Sequence, residues 1–589
     1  MMAVILFMFQ FLLVIREVDN DYNNNMHLSE NVTERDGLWD QTDADSSSDT
    51  VVYIGSSDNA MCEIVKQWGV YTKRRVVQYD SVEAYGQSPQ DEPLLLCIAG
   101  SEISTDSDVN ILTELAENGN NMVMCDLPSV DIMREFTGLC KIAGIHSVYQ
   151  NEVELSGIRL LTGFLLGGEA VYQAETPKDQ EMQDMDLYVP WYMTLRGTKT
   201  YMFGTLEYIE IENEFLPPLI WRNSFGKSKI FSINGDYMYD QIGLGILDAI
   251  IYELQPYELH PIVNAQNLSI ANYPDFAMEN TEELMEAYAR DMRRLQMDLM
   301  WPNIIASARK SNYRMTCFVA PQMDYTNSES ILANDLIFYL KEINEQDGEA
   351  GWSLEYIHGA SLEDKIISDR QFFDNSGSQY EYGAAYIAKD DKESFAELAS
   401  KGLLEDIRTV TSVCEGADAM LSYCTDTIVE QDITADGFKH TYMQDLRLRS
   451  LETALGYSNI LLDMKKITWP EENALYWEVL YEAFSSNINT YWNSFSAFDK
   501  TTLSESDKRV RAFLAMDYSD TRNGDVITVN IANRNGNVWF LLRTHLESVR
   551  GMTGGKYQKL EEDVYLICAQ EDVLTITVET AENVKFSLP

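Results

Sequence analysis

The chain is poor in positive charge. Its 44 Lys+Arg stand against 94 Asp+Glu, a formal net charge of −50 at pH 7. A surface of that sign repels phosphate backbones and argues against a nucleic-acid partner. It attracts cations instead, among them polymers with free amines; the plainer alternative is that the charge serves solubility. Histidine is scarce too, with only His27, His146, His260, His358, His440 and His545 and no HxH or HxxxH pair. A metal site would need carboxylates and single histidines from separate strands. No CxxC pair occurs among the eight cysteines, which excludes a zinc ribbon. Most cysteines sit in apolar, strand-like runs and read as buried free thiols. Proline is limited to 14 residues while hydrophobic residues reach 45%, which excludes a mainly disordered or fibrous chain.

Long apolar runs are missing except at the start. Residues 1–15 are apolar apart from Gln10, short of the roughly 20 residues a helical span needs. They read as a signal-anchor segment, with a buried N-terminal helix as the alternative. Only Arg16 follows, then Glu17, Asp19 and Asp21, so little positive charge holds this flank inside. Residues 16–50 are acidic and aperiodic and read as a flexible stalk. The expectation is a membrane-anchored, extracytoplasmic protein.

From Val51 the pattern is α/β. VVYIG, RRVVQY, LLLCIAG and NMVMCDL are apolar strands separated by helical stretches, the signature of a doubly wound parallel sheet to about residue 150, with strand-like 151–225 read as a β extension of the same 51–255 domain. KSKIFSING (227–235) is expected to return to that sheet. Over 256–516 the reading is HPIVNAQ as a first strand, one long helix over 280–310, then strands RMTCFVA, GWSLEYI and YEYGAAYIA alternating with helices. Long helices follow at 472–498 and 504–516. This suggests a distorted (β/α) barrel. Residues 517–589 alternate short strands with Gly, Asn and Asp turns, a small antiparallel β-domain.

Candidate chemistry is sparse. Cys125 and Cys97 lack the glycine-flanked elbow of a nucleophile. GSSDNA (55–60) lacks both GxGxxG and a Walker lysine, so no nucleotide site is expected. His358 follows GWSLEYI at a strand-to-helix junction, where barrel enzymes place active residues. Asp324 and Asp463 also follow strands and could act as base or ligand. For each of the three, a structural histidine or a loop or cap carboxylate is the plainer reading.

YRMTCFVAP, followed by a helix and then DGEAGWSLEYIHGASLEDKIISDRQFF, resembles the second and third units of a polysaccharide deacetylase barrel. FSINGDY (231–237), VNAQN (263–267), TALGYSNILLDM (453–464) and TLSESDKRVRAFL (502–514) carry a resemblance, from Val51 onward, to the bacterial domain-of-unknown-function family 2194. That family is similar to the Pel-type exopolysaccharide deacetylases. The resemblance implies an amidotransferase-like domain joined to a divergent deacetylase-like barrel. It also implies a role in making or modifying a secreted amino-sugar polymer, with exopolysaccharide synthase or export proteins as further partners.

The departures from the deacetylase pattern bear on function. Trp352 and Tyr356 stand where that pattern has histidines, only Ser353 matches, and His358 lies two residues beyond Tyr356. Asn264, Gln266 and Asn267 stand where carboxylates are expected. One reading is polymer binding through Trp352, Ser353, Tyr356, Asn264 and Asn267. A second is an active N-deacetylase with His358 and Asp324 as acid, base or ligands, which alone would call for a divalent metal such as zinc. A third is a scaffold of an export complex.

Overall fold

The computed structural model describes residues 49–580 except 175, 177–181, 207–214, 327–330, 360 and 472–473. The anchor at 1–15 and all but the last two residues of the stalk lie outside the described residues. Thr50, read as stalk, is the first residue of strand Thr50–Ile54. Among the described residues no helix is long and apolar enough to cross a membrane.

Strand Thr50–Ile54 shows why an uninterrupted apolar run makes a parallel strand. Val51 and Tyr53 enter one core and Val52 and Ile54 the other, so both faces are covered. Five parallel strands run in the order Arg75–Tyr79, Thr50–Ile54, Leu95–Ile98, Met122–Met124, Ser228–Ile233. The last of them is the expected return of KSKIFSING. Four antiparallel strands extend the sheet, Pro218–Phe225, Lys199–Thr205, Gly157–Leu160 and Ala170–Gln173. Helices Ala60–Thr72 and Ile242–Leu254 cover one face; Asp106–Asn118 and Thr137–Ala143 cover the other. A reciprocal Thr105–Asp108 cap starts Asp106–Asn118, and Gly119 at φ 109° ends it. All eight cysteines are free. The Cys97 thiol and burial push the Cys125 thiol well up, the reverse of what a nucleophile needs.

A second parallel sheet curls on itself. Its order is Thr409–Thr411, Ala384–Tyr386, Glu349–Ser353, Met315–Val319, Ala265–Ala271, Tyr457–Asp463. The run 429–436 joins the two edges. Its first half, Val429–Gln431, pairs with Thr409–Thr411; its second half, Ala435–Asp436, pairs with Tyr457–Asp463. Hydrogen bonds from Ile433 N to Ser412 O and from Thr434 N to Asn459 O bridge the halves. Ala271, Phe318, Ala384, Tyr386, Ile433 and Leu461 pack with Leu503. Leu503 opens helix Leu503–Ala515, which plugs the end where the strands begin. There Leu503 N donates to Thr316 Oγ1 at 2.9 Å, Ser506 Oγ to Gln431 Oε1 at 2.6 Å and Thr501 Oγ1 to Asn267 Oδ1 at 2.7 Å.

Three sequence readings change. Residues 280–310 are not one helix: Thr281–Tyr288 stops at Ala289 (φ 51°), and Asp291 caps a new start by accepting from Arg294 N. The 472–498 helix is confined to Trp477–Thr490 and a 3-10 turn at Trp492–Phe495. HPIVNAQ is two strands. Tyr257–Ile262 pairs antiparallel with Val538–Thr544, the chain turns at Asn264 (φ 56°), and only then does the barrel begin. The C-terminal unit is therefore two four-stranded antiparallel sheets, one of them taking a strand from before the barrel. Leu259, Tyr518, Ile527, Phe540, Ile567 and Ile576 form its core.

Candidate functional site

Barrel chemistry belongs where parallel strands end, because the loops that follow are free to carry side chains inward. Three strand ends here supply Asn272, after Ala265–Ala271; Ser353 with Glu355, at the end of Glu349–Ser353; and Asp463 with Lys465, at the end of Tyr457–Asp463. Asn272 sits at the centre. Its backbone is left-handed, φ 57°, a conformation asparagine tolerates better than most residues. Its Nδ2 donates to Glu355 Oε2 at 2.6 Å and to Asp463 Oδ1 at 2.9 Å, while Ser353 Oγ donates to its Oδ1 at 2.6 Å. Lys465 Nζ pairs with Glu355 Oε1, and Lys465 N donates to Asp463 Oδ1 at 3.0 Å. Burial and the neighbouring Glu355 charge push Asp463 up to about 6. Burial opposes the charge on Lys465, but Glu355 outweighs it and the ammonium is held above its usual value. The arrangement is a carboxylate pair joined through one amide, one member poised to exchange a proton near neutrality.

A metal of the deacetylase kind does not fit this donor set. Among the described residues, no three His, Cys, Asp or Glu at this mouth bring donor atoms within 4.8 Å of one another. Glu355 and Asp463 are already engaged by Asn272 and Lys465.

The residues singled out in the sequence fall in three places. Asp324 and His358 are neighbours at the rim: their backbones form a parallel bridge, and Tyr325 N donates to His358 O at 3.0 Å. His358 is exposed. Asp324 Oδ1 is taken up by Thr326, at 2.9 Å from its N and 2.5 Å from its Oγ1. Ser353 and Asp463 are in the cluster itself. Trp352 and Tyr356 are not sugar-facing platforms. Trp352 points outward and is 4% exposed, its Nε1 donating to Asp369 Oδ2 at 2.9 Å. Tyr356 is half-buried against the outer core. Asn264 and Asn267 lie at the opposite, plugged end: Asn264 Nδ2 donates to Asp499 Oδ2 at 3.0 Å, and Asn267 Oδ1 accepts from Thr501. They were misplaced because the first barrel strand begins at Ala265, which puts its functional end at Asn272. Asn272, Glu355 and Lys465 were not singled out. Their signal was position alone, each within two residues of a strand end.

A cavity of about 280 Å³ opens at the strand ends of the first sheet, lined by Asp126, Asp186, Asp236, Asp240, Tyr188 and Tyr237. Tyr239 OH donates to Asp126 Oδ2 at 3.3 Å, and burial raises Asp126.

No protein-family model matches the chain, and no curated protein matches it. Among solved structures, it is similar to Agd3, described as a novel carbohydrate deacetylase. The match covers 90% of this chain and 99% of that one, at 10% identity and a TM-score of 0.51. A ThuA-like protein from Bacteroides uniformis matches over 35% of this chain and 91% of its own, at 9% identity and a TM-score of 0.22. The β-galactosidase Gan42B matches over 36% and 33%, at 10% identity and 0.24. Over nine-tenths of its length, the chain has the fold of a carbohydrate deacetylase.

Proposed function

We propose that the protein is a membrane-anchored, extracytoplasmic component of exopolysaccharide assembly, of the 2194 type, whose barrel mouth binds a Pel-like amino-sugar polymer without metal-dependent deacetylation. The observation that carries this reading is the Asn272-centred cluster. Where a deacetylase would gather metal donors, Glu355 and Asp463 present carboxylate oxygens beside an amide and a hydroxyl. Asp463 Oδ2, which neither Asn272 nor Lys465 takes up, pairs with an ammonium group of a partly deacetylated polymer, with Glu355 as the second negative charge beside it, and amides and hydroxyls bond the ring hydroxyls. The four aspartates around the first-sheet cavity add negative potential of the same kind. Exopolysaccharide synthase or export proteins are the partners this location implies.

The full chain in detergent is expected to bind partly deacetylated amino-sugar polymer and to lose affinity as salt is raised. Glu355→Gln combined with Asp463→Asn should weaken binding about tenfold or more, by removing both anionic partners. Equal affinity for a fully acetylated polymer, or no effect of the double variant, would overturn the reading. Zinc-dependent acetate release that His358→Ala abolishes would favour the enzyme reading instead. For topology, protease added to intact cells is expected to digest the chain; complete protection until lysis would place it inside.

A further inference from the structure

Far from the barrel mouth, three ionisable side chains meet where the structural units join. Asp248 lies on helix Ile242–Leu254 of the first unit. Glu258 and His260 lie on strand Tyr257–Ile262, which belongs to the C-terminal sheets, and the carbonyl of Thr453 reaches in from the barrel helix Tyr442–Leu455. Asp248 and His260 are completely buried, and Glu258 is 2% exposed.

The three are close but not bonded to one another. His260 Nε2 is 3.9 Å from Asp248 Oδ2, and His260 Nδ1 is 3.8 Å from Glu258 Oε1, beyond hydrogen-bond reach. Each is oriented from outside instead. His260 Nε2 donates to Thr453 O at 3.0 Å, which fixes the tautomer and leaves the lone pair on Nδ1. Trp68 Nε1 donates to Asp248 Oδ1 at 2.7 Å, and Arg74 holds Glu258 Oε1 at 2.9 Å. His260 Nδ1 and Asp248 Oδ2 have no partner. A buried acceptor without a partner is costly, so these two call for an explanation.

We propose that Asp248, Glu258 and His260 bind a divalent transition-metal ion of the zinc class, which pins the three units together. One donor atom from each residue lies within 4.8 Å of the other two. Ligands about 2.1 Å from a tetrahedral ion are separated by roughly 3.4 Å, so a small inward movement closes the site. Mixed imidazole and carboxylate donors suit zinc, and the outer bonds to Thr453, Trp68 and Arg74 are those that orient metal ligands. Arg543 Nη1 and Nη2 donate to the carbonyls of Phe164 and Gly163, while its Nε and Arg74 Nη1 have no partner. This site is independent of the barrel-mouth reading.

The test uses the full chain, stripped with chelator and reloaded with zinc, with metal content measured by mass spectrometry and stability by thermal melting. One zinc per chain and a raised melting temperature are expected. Both should persist in the Glu355→Gln, Asp463→Asn variant, and His260→Gln should weaken retention at least tenfold. Zinc no higher than background, or zinc retained by His260→Gln, would overturn the proposal. Should His260→Gln fail to fold, zinc-edge anomalous diffraction from the unaltered protein decides. A peak bonded to His260 Nδ1 supports the site and its absence refutes it.

Discussion

Trp352→Ala is expected to remove about 3–5 kcal/mol of folding stability, the range for a buried tryptophan, while the folded fraction keeps its polymer affinity within about twofold. Two losses combine. The ring packs edge-on to Phe373 with centroids 5.6 Å apart, so truncation opens a cavity. It also removes one of the donors to Asp369, a buried carboxylate otherwise held by Tyr325 and by Lys365 Nζ at 2.8 Å. Trp352→Phe should recover part of the volume and none of the hydrogen bond, giving an intermediate loss. Urea unfolding alongside polymer titration separates the possibilities. An affinity loss of tenfold with unchanged stability would return Trp352 to the site and move the site outside the barrel.

Stability is expected to be greatest in mild acid and to fall by about 3–5 kcal/mol between pH 5 and pH 8.5, measured with chelator present. Burial raises several carboxylates: Glu258 to about 7, Asp507 to about 6, and Asp432 and Glu452 upward as well. A carboxyl whose folded value lies above its unfolded value binds its proton more tightly when folded. Its contribution is complete below the unfolded value near 4 and drains away as pH rises through 6 to 8. Each unit of difference is worth about 1.4 kcal/mol. Asp445 works in the opposite sense, because His440 and Arg449 outweigh its burial and hold it low; its contribution is lost only in stronger acid. The −50 formal charge adds self-repulsion at high pH. A melting temperature higher at pH 8.5 than at pH 5 would refute this account.

Much of the α/β pattern was legible because apolar runs covered on both faces can be read locally. The strands around Val51, Leu96 and Val123 follow this rule, and Phe231 marks the return to the same sheet. The barrel's closing run at 429–436 was not legible, because it splits its pairing between two neighbours and neither half exceeds three residues. The site was harder still. Asn264 at positive φ divides what reads as one strand, and that displaced the expected motif to the wrong end of the barrel. Glu355 sits within the quoted GWSLEYIH stretch, but nothing local distinguishes it from Glu349, whose carboxylate meets Ser504 at the plugged end. Only the ring of strands assigns one to the mouth and the other to the base.

The pairing of Tyr257–Ile262 with Val538–Thr544 has a consequence for synthesis. During translation the first of these strands leaves the ribosome long before its partner exists. At roughly 5–20 residues per second, the delay for about 280 intervening residues is tens of seconds. Through that interval a strand with the buried residues Leu259 and Ile262 has an open edge, the kind that recruits other chains. The nascent protein is therefore expected to need that edge shielded until the last unit emerges. A chain terminated after the barrel would never cover it, so shortened versions should accumulate as aggregates rather than as a free barrel.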